Sequence, residues 1–260
     1  MQTKTNVVYK YLLLRWLKNY GTVLAVIVGF DVLTSINYTN SFKDFLVRVF
    51  NTSYGAVAFI SVAFVAFECY VLFGYLMQNS ISRTTFFKAT MLKLLSASLI
   101  VSCFTHLMAV IQNALKLEAL SVYTVLYGKF FKSNALNYVL EFLSDYLILV
   151  CIGAILIAIV TFFTLCNRLT KIIILGIIVG GPMMWIIFGI NLFLENIGHI
   201  QIDTYIGNLM EGIFWLFGYR VDVVVGHYNP LMLFIILILL SIIGMALSYF
   251  LMQRLKIRTV

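Results

Sequence analysis

Residues 55–77 read GAVAFISVAFVAFECYVLFGYLM, and 78–93 continue as QNSISRTTFFKATMLK before the chain turns apolar again. The first run carries one charged side chain, Glu68. As a helix rising about 1.5 Å per residue it exceeds the roughly 30 Å of a bilayer's hydrocarbon core. Lipid offers the backbone no hydrogen-bond partners, so a helix, which satisfies itself, is the expected form. The hydroxyl-rich, basic stretch that follows is longer than a bare turn requires.

The same pattern recurs along the 260 residues, which are 62% apolar and 11% charged and hold two prolines. Apolar runs at about 20–36, 55–77, 93–113, 142–165, 172–193 and 230–252 predict an all-α polytopic membrane protein with six transmembrane helices. Asn229 is placed to cap the last run and Pro230 to occupy its first turn. No linker, repeat or low-complexity tract divides the chain, so residues 1–260 are read as one transmembrane domain.

Orientation follows from Lys and Arg. With both termini inside, the inner segments hold Lys4, Lys10, Arg15, Lys18, Arg83, Lys88, Lys93, Arg168, Lys171, Arg254, Lys256 and Arg258. The outer segments hold Lys43, Arg48, Lys116, Lys129, Lys132 and Arg220. The excess predicts an N-in, C-in topology in a cell membrane. It also accounts for the net charge of +8 without a nucleic-acid partner. Residues 1–19 mix Tyr11, Leu12, Trp16 and Leu17 with Lys10, Arg15 and Lys18, which fits an interfacial helix rather than a signal peptide. A simple basic flank is the alternative.

Cys69, Cys103, Cys151 and Cys166 lie in or beside spans and are read as small buried residues rather than a disulfide framework. The outer segments are not bland: 41–50 and 205–219 are amphipathic or apolar but too short to cross, which suggests interfacial or re-entrant helices. Gly180, Gly181 and Pro182 interrupt the fifth run, either as a hinge or as a static kink.

Asp31, Glu68 and His106 lie within runs, Asp31 and Glu68 near mid-membrane by residue count. Such side chains either line a transport path or proton site, or bond between helices and serve packing. Both roles fit the residues. No HExxH, G-x-S-x-G, C-x-x-C or Walker loop is present, and the three histidines lack metal-ligand spacing. No catalytic or metal-binding residue is therefore assigned, and the chain is not read as an enzyme.

A basic N-terminal helix, six spans with both ends inside, and a short basic loop after span two resemble the permease subunit of bacterial ABC-2 type exporters. In that family the loop is a coupling helix docked on a separate ATPase. NSISRTTFFKATM matches its hydroxyl–Arg–aromatic–basic pattern, which places ATPase coupling on Ser82, Arg83, Phe86, Phe87 and Lys88. Membrane anchoring is the other role such residues fill. The resemblance further implies a bacterial cytoplasmic-membrane location and ATP with Mg bound only by the partner ATPase. It also implies a second permease copy, as a homodimer or a related pair. Within the family, the length and outer loops are similar to exporters of phenol-soluble modulins and lantibiotics, which implies amphipathic or antimicrobial peptides as cargo. Two other classes fit the residues: an ion-coupled carrier using Asp31, Glu68 and His106, or a peptide-binding sensor or immunity protein.

Overall fold

The computed structural model describes residues 3–38, 54–114, 122–167, 170 and 227–255. Six helices are described: α1 (Lys4–Tyr38), α2 (Tyr54–Gln78), α3 (Arg83–Ala114), α4 (Val122–Tyr127), α5 (Asn134–Leu165) and α6 (Pro230–Arg254). No strand occurs among the described residues. All except α4 contain a stretch long and apolar enough to cross a membrane, so the chain has the makeup of a multi-pass membrane protein. The fifth run at 172–193, the Gly180–Gly181–Pro182 interruption and the segments 41–50 and 205–219 lie outside the described residues.

Three boundaries differ from the sequence expectation. The interfacial helix at 1–19 and the span at 20–36 are one continuous helix, α1, because nothing between them breaks a helix; Gly21 alone costs only about 1 kcal/mol. At about 52 Å, α1 is longer than a hydrocarbon core is thick. Its first half packs inward through Val8, Leu12, Trp16 and Tyr20, one residue per turn. Its second half leaves Val26, Phe30 and Leu33 exposed. Helix α3 begins at Arg83, ten residues before the third expected span, and α5 begins at Asn134, where Ser133 caps it. The start of α6 agrees with expectation: Asn229 Oδ1 accepts from the Leu231 N–H at 3.0 Å and Pro230 opens the helix.

Residues 78–85 build the turn, and the Ser82 hydroxyl bonds those of Thr84 and Thr85 there. Ser80 sits at φ 60°, in the left-handed region. Around it the Ser80 N–H bonds to Met77 O and the Ile81 N–H reaches back to Leu76 O, a Schellman closure of α2. Ser82 then caps α3, its Oγ accepting from the Thr85 N–H at 3.1 Å. Two long helices are thus reversed by the four residues 79–82.

Helix α5 is the hub. It packs most extensively along α6 and also touches α2, α3 and α4. Gly153 faces the hairpin, where an added Cβ would overlap the tip of Leu94 and lie 2.8 Å from Val62 Cγ1. The neighbouring Ala154 faces α6: a Cβ on Gly244 would stand 3.1 Å from the Ala154 backbone, and Ser248 Oγ donates to Ala154 O at 3.3 Å. In a membrane, where apolar burial gives little drive, such small-residue contacts let helices approach closely enough for dispersion to hold them. Cys69 and Cys151 are buried as expected, but Cys103 is exposed and Cys166 half-buried; all four are free thiols.

Candidate functional site

Glu68 stands ten residues before the end of α2, and Lys93 stands ten residues after the start of α3. A hairpin turning at 79–82 sets those positions side by side, about 15 Å from the turn. Lys93 Nζ lies 3.1 Å from Glu68 Oε2, and also donates to Val65 O at 3.4 Å. Both residues are buried, Lys93 completely. Helix α1 supplies the remaining partners. Asn19 Nδ2 donates to Glu68 Oε1, and Arg15 Nε approaches the same oxygen at 4.0 Å. Trp16, between them in sequence, is fully buried and donates from Nε1 to Ser61 O at 3.0 Å. One carboxylate therefore ties three helices together.

Lys93 was counted above as an inner-segment charge; it is instead a buried partner of Glu68, and without it the basic excess is eleven to six. Sequence reasoning also assigned no role of this kind to Arg15 and Asn19. The equal spacing of Glu68 and Lys93 about the turn is the signal that finds the pair.

Asp31 and Glu68 do not share a site. Asn19 touches Glu68, and Asp31 is twelve residues further along the same helix, about 18 Å away. Its electrostatic neighbour is Tyr54. His106 lies thirteen residues beyond Lys93 on α3, with its ring 5.8 Å from that of Phe142 on α5. Neither Asp31 nor His106 therefore stands beside Glu68. Among the described residues no group of three His, Cys, Asp or Glu side chains is arranged to hold a metal ion.

The residues expected to couple to an ATPase are largely engaged within the chain. Phe86 is fully buried, its ring 5.5 Å from Phe73 in an edge contact, so it belongs to the core rather than to an exposed anchor. Arg83 Nη1 donates to the Gln253 carbonyl near the end of α6, where a cation also suits the helix dipole. Phe87 is half-buried against Tyr249 of α6, ring centroids 5.1 Å apart. Ser82 is exposed but occupied as the cap of α3. Lys88 and Thr84 remain exposed to solvent or headgroups, together with 78–80. The segment is the first turns of α3 and not a separate helix. No known protein family, curated protein or solved structure matches the chain.

Proposed function

We propose that the chain is the membrane-spanning permease subunit of an ATP-driven ABC-2 type exporter, working with a separate ATPase and a second permease copy. The observation that carries this reading is mechanical. Around the 79–82 turn three long helices meet: α2 and α3 are joined by the turn, and α6 is bound to α3 by the Arg83–Gln253 hydrogen bond and the Phe87–Tyr249 contact. Displacing such a turn moves three helices together, because packed helices respond as bodies and not as soft springs. A flexible loop would absorb the same displacement.

The partner contact then falls on the exposed residues of the turn and on Thr84 and Lys88, rather than on Phe86. Amphipathic or antimicrobial peptides are the proposed cargo, and ATP and Mg stay with the ATPase. Replacing Arg83 or Phe87 would disturb the α6 contact, so the test uses exposed positions. Thr84→Glu with Lys88→Glu places acids in the first turns of a helix, where they are tolerated, and reverses the charge offered to a partner. The expected result is unchanged thermal stability in detergent, with ATP-dependent transport reduced about tenfold or more, equivalent to losing at least about 1.4 kcal/mol of docking. Transport unchanged in this variant removes the turn from the coupling route.

A further inference from the structure

At the end of the bundle remote from the turn, one face of α5 presents Asn137, Glu141 and Asp145 at successive i, i+4 positions. His106 sits beside them, about 35 Å along α3 from Arg83. It interacts electrostatically with Asp145, and its ring meets Phe142. From α4, Thr124 Oγ1 donates to Glu141 Oε1 at 3.2 Å. Among the described residues no Lys or Arg lies within ion-pair distance of Glu141 or Asp145.

Two further buried polar atoms lie at this place. Tyr123 is only 3% exposed, and its hydroxyl has no hydrogen-bond partner among the described residues. Burial first, then the Glu141 carboxylate and Tyr127, push its phenol up to about 12, so the hydroxyl stands in the field of Glu141. Asn137 uses its amide nitrogen on Gly128 O and Phe131 O, while its buried Oδ1 has no partner among the described residues. Buried polar atoms are rarely left unpaired, because an unmet one forfeits its hydration without replacement. The unmet groups and the carboxylates can all accept hydrogen bonds. What completes such a set is a donor carrying positive charge.

We propose that the Asn137–Glu141–Asp145 face, with His106 and the Tyr123 hydroxyl, binds the ammonium or guanidinium groups of a cationic amphipathic peptide. Two carboxylates and a carbonyl oxygen match the donor-only chemistry of Lys and Arg. The aromatic rings alongside, Tyr127 and Phe142, suit the apolar face of the same helix and the cation itself. This inference rests on the peptide-export reading and names the feature of the cargo that is recognised.

The test uses the full chain in lipid nanodiscs and a fluorescent amphipathic helix of leucine and lysine, with binding read by anisotropy. A second helix carries glutamine in place of lysine. Wild-type chain is expected to bind the lysine helix, and Glu141→Gln with Asp145→Asn to weaken it about tenfold or more. Affinity for the glutamine helix should be the same in both. Should the double variant not fold, Glu141→Gln alone serves, with about threefold weakening expected. Equal affinity of wild type and either folded variant for the lysine helix overturns the site. No ATPase takes part, so that outcome leaves ATP-driven transport to be judged separately. Charge-dependent binding without any ATP-driven transport would instead uphold the site and remove the exporter reading.

Discussion

Glu68→Leu is expected to destabilise the folded chain by about 3–5 kcal/mol, more than Lys93→Met, while the double replacement recovers most of the loss. The ordering comes from what each single change leaves behind. Without Glu68, the fully buried Lys93 keeps, among the described residues, only the Val65 carbonyl, and a buried cation with one weak acceptor is costly. Without Lys93, Glu68 still has Asn19 as a donor and Arg15 at 4.0 Å. With both gone, two apolar side chains fill a helix interface and no charge is stranded. Reversible unfolding in mixed detergent micelles, analysed as a double-mutant cycle, measures the coupling. Additive losses would mean that the two side chains do not act as a pair.

The second large effect is at Phe86. A fully buried aromatic truncated to alanine leaves a cavity, and in protein interiors this costs about 3–5 kcal/mol. Phe86→Ala should therefore lower the melting temperature, with the hairpin end near Phe73 loosening first. If Phe86 instead served as an anchor for another protein, the isolated chain would melt as wild type does and only assembly would suffer. Thermal unfolding of the purified chain separates the two roles, since it needs no partner.

These residues show what a single sequence conveys about a membrane bundle. The spans at 55–77 and 230–252 were legible to within two residues, because apolar length and the Asn229–Pro230 start depend on local chemistry. Helices α1 and α3 run past the first and third apolar runs at their basic ends, because a helix continues through charged residues that an apolar run excludes. Lys10, Arg15 and Lys18 lie inside α1, and Lys93 lies inside α3. Lys93 escaped notice since a basic residue beside a basic loop looks topogenic until a partner is placed opposite it. The hydroxyls of 78–85 looked like a motif, and their described bonds are turn and cap chemistry. The Asn137–Glu141–Asp145 face was hidden for a different reason. Its spacing is visible on α5, but its meaning depends on α3 and α4 bringing His106 and Tyr123 beside it, and those pairings are tertiary.

The proposed exporter moves cargo with energy supplied by an ATPase and not by an ion gradient. Inverted membrane vesicles from cells that carry the chain, compared with vesicles from cells lacking it, test this directly with the fluorescent leucine–lysine helix as cargo. Chain-dependent accumulation is expected on adding ATP and Mg, sustained when a protonophore collapses the proton gradient, and absent with a non-hydrolysable ATP analogue. Accumulation that disappears with the protonophore while ATP is retained would contradict it.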